Sequence, residues 1–183
     1  MSEMISIVIN GQNITAEPGD TILTAAAKNG IRIPTLCYLK DVNEIGSCRI
    51  CVVEIQGEDK LFPACNTKVK EGMVIETMSE KVVASRRTTL NLLLANHNQD
   101  CFSCTSYATC ELRKVCNEYG VYRSTYESNN RHDKTEEKNS HPFLGYRPDL
   151  CIGCQRCVST CAKVSGRSSI ALRKDGTYTV IDV

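Results

Sequence analysis

The positions of twelve cysteines constrain this chain more than any other feature of its sequence. Eleven fall into three sets, and one lies apart from them. In 183 residues this density is below that of a short secreted disulfide scaffold. The opening residues, MSEMISIVIN, lack the pattern of a secretory signal. We therefore expect a cytoplasmic protein whose thiols stay reduced and act as metal ligands.

Charge and hydropathy exclude two classes of partner. The chain has 22 Lys+Arg against 21 Asp+Glu, a formal net charge of +1, so no strong field favours binding to nucleic acid or to a membrane surface. No apolar run approaches the roughly 18 residues of a spanning helix. We expect neither nucleic-acid binding nor membrane insertion.

The first 78 residues predict a small α+β domain. Alternating apolar residues run into Asn10-Gly11, a strong hairpin signal, and Asp20 is expected to cap a helix that ends at Asn29-Gly30. The predicted strands are residues 5–9, 12–17, 50–56 and 73–77. This order favours a ubiquitin-like β-grasp over residues 1–78.

The remainder predicts three further segments. Ser79 is expected to cap a long helix and Glu111–Tyr119 to form a short one, which together give a helical domain over 79–121. Residues 122–147 are polar, include His132 and His141, and are expected to form an exposed connection. Residues 148–183 contain a dense cysteine run and a hairpin turning at Asp175-Gly176.

The first set of cysteines has one close pair and two distant members. Its spacing is C-x10-C-x2-C-x13-C, and its members are Cys37, Cys48, Cys51 and Cys65. Thiolates on a long loop of small residues, with backbone N–H groups free to face sulfur, favour a [2Fe–2S] cluster. Structural zinc, for which two close pairs are more usual, is the alternative.

The second set includes a histidine, in the pattern H-x3-C-x2-C-x5-C. Its members are His97, Cys101, Cys104 and Cys110. Three thiolates and one imidazole suit either structural zinc or a [4Fe–4S] cluster. In a cluster, the neutral imidazole removes one negative charge, which should raise the reduction potential.

The third set matches the bacterial ferredoxin run C-x2-C-x2-C-x3-C, except that Ala162 stands where proline is usual. Its members are Cys151, Cys154, Cys157 and Cys161. In two-cluster ferredoxins the fourth cysteine serves the other cluster. Either Cys161 closes this site, or a ligand comes from elsewhere, or the cluster is incomplete.

Cys116 lies outside every set. It is expected to be a buried apolar residue rather than a ligand.

Together the three sets resemble the N-terminal iron–sulfur region of the large iron–sulfur subunit of NADH dehydrogenase. They are also similar to the corresponding regions of [FeFe]-hydrogenases and NAD-dependent formate dehydrogenases. The likeness covers roughly residues 4–165 and includes the stretches PTLCYL, GSCRICVVEI, NHNQDCFSC, CELRKVCNEYG and LCIGCQRCV. Those relatives continue for hundreds of residues, and the second ferredoxin run that would partner Cys161 does not occur in this sequence.

The resemblance implies one [2Fe–2S] cluster at the first set, a [4Fe–4S] cluster with one histidine and three cysteine ligands at the second, and a further [4Fe–4S] cluster at the third. It implies an electron-transfer subunit without catalytic residues of its own. Its partners would be a flavin- and NAD(H)-binding subunit and another redox subunit, in an electron-bifurcating transhydrogenase or a hydrogenase. A zinc-stabilised interaction module is the competing hypothesis.

Overall fold

The structure of the chain is a computed structural model that describes residues 4–126, 145–175 and 178–182. Two compact units are present. The first comprises Met1–Tyr38 and Glu44–Thr89, and the second comprises Leu39–Asn43 and Leu90–Val183. The finer division into 1–78, 79–121, 122–147 and 148–183 stays a prediction.

A five-stranded mixed sheet forms the first unit. Its strands are β1 (Ile5–Ile9), β2 (Gln12–Ala16), β3 (Val52–Ile55), β4 (Phe62–Pro63) and β5 (Val74–Glu76). Their order is β2-β1-β5-β3-β4, with β1 and β5 parallel at the centre and the other pairs antiparallel. This is the arrangement that the β-grasp interpretation requires, and the α+β class is confirmed. The two-residue β4 was not predicted.

The first hairpin is in register as its sequence indicates. Ile5 pairs with Ala16 and Ile9 with Gln12, because Asn10 and Gly11 both adopt positive φ, at 50° and 76°. Ile7 and Ile9 therefore point to the same face and are buried. The helix α1 (Ile22–Lys28) contributes Ile22, Ala25 and Ala26 to the same core.

The N-terminal cap of α1 is Thr21, so the prediction of Asp20 is wrong by one residue. Thr21 Oγ1 accepts from Thr24 N–H at 3.2 Å, and Thr24 Oγ1 accepts from Thr21 N–H at 2.8 Å. Since this reciprocal pair satisfies the first turn, Asp20 is left to bind Lys28 Nζ at 2.9 Å. Burial alone would raise the pKa of Asp20, but its bonds from Lys28 and Glu17 N–H lower it overall.

The longest helix, α2 (Glu80–Ala95), begins at the predicted Ser79, whose Oγ accepts from Val82 N–H at 3.3 Å. The second unit continues with α3 (Glu111–Glu118), α4 (Arg156–Lys163), and the antiparallel pair β6 (Ala171–Asp175) and β7 (Tyr178–Asp182). Within the described ranges, no helix is long and apolar enough to cross a membrane.

The first residues of the predicted polar connection make hydrogen bonds to α2. Ser124 Oγ donates to Asn91 O at 2.9 Å, and Thr125 N–H donates to Asn91 Oδ1 at 3.0 Å. Residues 122–126 are therefore tied to the end of α2 rather than free, because their short hydroxyl side chains bond to exposed groups of that helix. Residues 127–144, with His132 and His141, and the turn at 176–177 lie outside the described residues.

Candidate metal centres

The four cysteines of the first set come together as two pairs. The side chains of Cys37 and Cys48 hydrogen-bond to each other, as do those of Cys51 and Cys65. Cys65 also interacts electrostatically with Cys37 and Cys48, so the two pairs are neighbours. This layout suits a two-iron cluster in which each iron takes two thiolates.

Backbone donors converge on these sulfurs. The bond from the Cys48 thiol, together with the N–H groups of Cys48 and Ser47, lowers the pKa of Cys37 to about 5. The bond from Cys65 likewise lowers the pKa of Cys51 to about 7. The same bonds and burial raise the pKa values of the partner thiols, Cys48 and Cys65. Each pair therefore places one stabilised thiolate beside one protonated thiol, and the backbone donors act on the thiolate.

The turn that carries Cys48 is closely packed. Gly46 is buried at φ 65°, and a Cβ there would lie 3.0 Å from Asn66 Nδ2 and 3.3 Å from Pro63 Cβ. Arg49 is also left-handed, at φ 55°. Two such residues on either side of Cys48 turn successive N–H groups inward, as in anion-binding nests.

A buried arginine supports the same loop. Arg86 is 0% exposed, and its Nε and Nη2 donate to Ile50 O at 2.9 Å and Val52 O at 2.8 Å. These carbonyls flank Cys51, so the guanidinium fixes the backbone on both sides of a candidate ligand. Sequence reasoning missed this residue, although Arg86 lies midway between Val82 and Leu90 on the buried face of α2.

The second set lies between the end of α2 and the start of α3. Cys101 opens the short 3-10 turn Cys101–Ser103, and Cys104 is its C-cap. Cys110 is the N-cap of α3, and its Sγ accepts from Arg113 N–H at 3.4 Å. His97 Nδ1 is buried and has no hydrogen-bond partner. Burial lowers the pKa of His97, so the imidazole is neutral, the form that binds metal. An orphaned, neutral imidazole fits the role of a ligand.

Cys116 is buried, at 4% exposed, between Leu112 and Val115 on α3. Burial, together with the nearby charges of Cys110 and Cys101, raises its pKa to about 12. A protonated, buried thiol at this position agrees with the prediction of an apolar packing role.

The third set is built on a turn and the helix α4 that follows it. Gly153 and Gln155 both have φ 64°, and Gly153 N–H points at Cys151 Sγ at 3.4 Å. Cys157 interacts electrostatically with Cys154 and Cys151, so three of the four sulfurs are neighbours. Cys161 follows Cys157 by one helical turn, on the same face of α4.

Tyr146 adds a hydroxyl to this third site. Its side chain hydrogen-bonds to Cys151, and its Oη accepts from Ile181 N–H at 3.5 Å. Burial and the charge of Cys151 raise the pKa of Tyr146 to about 12. No sequence signal pointed to this residue, because it lies in the predicted polar connection.

A site preformed for a single metal ion would group at least three ligand side chains. Across residues 4–126, 145–175 and 178–182, no three His, Cys, Asp or Glu side chains are grouped as a single metal ion would require. None of the twelve cysteines is in a disulfide.

Comparisons with known proteins find iron–sulfur binding regions in the parts of the chain that contain the first and second sets. Residues 2–80 match the family described as 2Fe-2S iron–sulfur cluster binding domain, and residues 86–125 match the NADH-ubiquinone oxidoreductase-G iron–sulfur binding region. The predicted resemblance is confirmed, and residues 2–80 match a domain of the [2Fe–2S] type.

Relatives extend the likeness to the third set. The chain is 38% identical over 179 residues to the NADPH-Fe(3+) oxidoreductase subunit alpha of Geobacter sulfurreducens, covering 98% of this chain and 21% of the relative. It is 37% identical over 174 residues to the NADP-reducing hydrogenase subunit HndD of Solidesulfovibrio fructosivorans, covering 89% of this chain and 29% of the relative. The chain thus spans about a fifth to less than a third of the length of these curated relatives.

A solved structure shares the fold. The crystal structure of an NAD+-reducing [NiFe]-hydrogenase in the H2-reduced state superposes with a TM-score of 0.86 at 28% identity, over 97% of this chain and 74% of that one. The expected likeness to iron–sulfur regions of NAD(P)-linked oxidoreductases is therefore confirmed.

Proposed function

We propose that this chain relays single electrons within a multi-subunit NAD(P)-linked oxidoreductase. The observation that carries the proposal is the layout of the first set, in which four thiols form two neighbouring pairs inside a domain of the [2Fe–2S] type. Iron–sulfur clusters supply reversible one-electron chemistry, and the protein supplies ligands, hydrogen bonds and burial that set the potential.

The proposal assigns ligands to three clusters. The [2Fe–2S] cluster takes Cys37, Cys48, Cys51 and Cys65, and the first [4Fe–4S] cluster takes His97, Cys101, Cys104 and Cys110. A second [4Fe–4S] cluster takes Cys151, Cys154 and Cys157, with Cys161 as the proposed fourth ligand. Backbone N–H groups at Cys37, Cys110 and Cys151 support these assignments, because donors to sulfur stabilise the thiolate form.

Partners follow from the same reasoning. A relay that carries electrons without terminal chemistry needs a donor and an acceptor, and we infer a flavin- and NAD(H)-binding subunit on one side and a further redox subunit on the other. The relatives are named as NADPH-Fe(3+) oxidoreductase and NADP-reducing hydrogenase subunits, which supports this kind of assembly. The assembly that we propose is an electron-bifurcating transhydrogenase or a hydrogenase. Twelve reduced thiols favour the cytoplasm.

Anaerobic purification tests the proposal against a zinc-binding interaction module. We expect a brown protein with bound iron and acid-labile sulfide, whereas a colourless protein holding only zinc would exclude the relay.

Cys101→Ser should abolish one [4Fe–4S] signal in electron paramagnetic resonance (EPR) and keep the [2Fe–2S] signal. Cys116→Ser is the matched control. It also replaces a thiol by a hydroxyl, at a position on α3 that we do not assign as a ligand, and it should keep both signals.

The histidine assignment has its own test. His97→Cys replaces a neutral ligand by a thiolate, so the cluster should persist with a lower midpoint potential. An unchanged or higher potential would show that His97 is not a ligand.

A further inference from the structure

A buried carboxylate lies between the segments that carry the second and third sets. Asp149 is 8% exposed. Its Oδ1 accepts from Arg147 Nε at 2.9 Å and its Oδ2 from Arg147 Nη2 at 2.8 Å, a bidentate pair. Asn98 completes the contacts, donating from Nδ2 to Oδ2 at 3.3 Å and from its backbone N–H to Asp149 O at 2.8 Å.

These contacts connect two candidate centres within one unit. Asp149 lies two residues before Cys151, in the 3-10 turn Pro148–Leu150, and Asn98 directly follows His97. The carboxylate also interacts electrostatically with the His97 ring. Moving Asp149 or changing its charge would therefore affect both the segment that carries His97 and the segment that carries Cys151.

The two members of the pair differ in exposure. The Asp149 side chain is 11% exposed, whereas that of Arg147 is 44% exposed. Water screens the guanidinium more than the carboxylate, so the negative charge acts more strongly on its protein surroundings. The bidentate bonds from Arg147 stabilise the ionised form of the carboxylate.

We propose that the Arg147–Asp149 ion pair lowers the reduction potentials of both clusters held by the second and third sets. The inference rests on the proposed function, because it requires those clusters. Reduction adds an electron to a cluster, so a nearby carboxylate opposes it and a nearby guanidinium favours it. The intact pair holds both potentials slightly below the values they would have without it.

A purely structural role for the pair makes a different prediction. If the pair only fixed the backbone, removing either member would loosen the same turn and move each potential in the same direction. If charge is decisive, the two single variants move the potentials in opposite directions. The signs of the shifts therefore separate the two roles.

The experiment is an EPR-monitored redox titration of the full chain, carried out with wild type, Asp149→Asn, Arg147→Gln and the double variant. Iron and sulfide analysis is performed first on each. We expect Asp149→Asn to raise both [4Fe–4S] midpoints, Arg147→Gln to lower both by a smaller amount, and the double variant to lie between them. Glu76→Gln also removes one negative charge, but at an exposed site, so it should change neither of the two [4Fe–4S] midpoint potentials.

Shifts of the same sign in both single variants, or no shift in either, would overturn the inference while leaving the electron relay intact. Should Asp149→Asn lose a cluster, Arg147→Lys and Arg147→Gln decide between the roles. The lysine variant retains the charge but not the bidentate geometry, so it should stay close to wild type. A shift in Arg147→Lys as large as in Arg147→Gln would contradict the proposal. Wild-type protein without iron would instead refute the proposed function.

Discussion

The Ser159 hydroxyl donates to Asn43 Oδ1 at 2.7 Å, and Asn43 Nδ2 donates to Cys154 O at 3.0 Å. Asn43 is 0% exposed and belongs to the short segment Leu39–Asn43, which lies in sequence between the first two cysteines of the first set. That segment is nevertheless part of the second unit. The ten-residue spacer between Cys37 and Cys48 therefore helps to build the third site.

Asn43→Ala should weaken the third site. The change leaves the Cys154 carbonyl and the Ser159 hydroxyl without a buried partner, at a cost of about 2–4 kcal/mol in the free energy of unfolding. We expect substoichiometric iron with loss of one [4Fe–4S] EPR signal. Ser159→Ala removes one of the two bonds and should cost about 1 kcal/mol. Lys40→Ala, at an exposed position of the same segment, should match wild type in iron content.

Arg86→Met should destabilise the first unit. It removes the donors to Ile50 O and Val52 O on either side of Cys51, and two unsatisfied buried carbonyls cost about 2–5 kcal/mol. We expect a lower unfolding midpoint in urea and loss of the [2Fe–2S] signal. Arg87→Met changes the exposed neighbour on α2, and equal effects of the two substitutions would show that the buried contacts are not decisive.

Gly46→Ala should disturb the loop of the first set. Its φ of 65° and the short approaches to Asn66 and Pro63 both penalise a Cβ. Gly57→Ala is the control, because Gly57 has φ 86° but no atom within 4 Å of the added Cβ. We expect Gly57→Ala to cost about 1 kcal/mol with full [2Fe–2S] content, and Gly46→Ala to cost more and lower that content. Equal iron content in the Gly46→Ala and Gly57→Ala variants would show that the close packing around Gly46 does not matter for the cluster.

Cys116→Ala should keep every cluster. Cys116 is buried with a raised pKa, so its removal costs packing, about 1 kcal/mol of unfolding free energy, and not a ligand. Iron content and the EPR spectrum should equal those of wild type. Loss of about four irons per chain would show that Cys116 is a ligand after all.

Much of the first unit could be predicted from sequence because its signals are local. Asn10-Gly11 determines the turn and register of the hairpin, and Ser79 marks the start of α2. Asp20 and Thr21 are both good caps, and only the reciprocal contact with Thr24 decides between them. Strand β4 has two residues, too few for a periodic pattern.

The supporting residues of the sites could not be predicted in the same way. The cysteine spacing predicted the candidate ligand sets, but Asn43 and Ser159 meet across more than a hundred residues of chain, as do Asn43 and Cys154. Asp149 and Asn98 meet across about fifty. A polar residue in a loop is normally solvated, so its burial becomes visible only when the tertiary contacts are known.

The central claim is that three cysteine sets bind iron–sulfur clusters and make this chain an electron relay. Iron, acid-labile sulfide and zinc should be counted per chain in anaerobically purified protein, together with EPR spin quantitation. The account predicts about ten irons, from one [2Fe–2S] and two [4Fe–4S] clusters, with matching sulfide and no zinc. A colourless chain with stoichiometric zinc and no sulfide would contradict it.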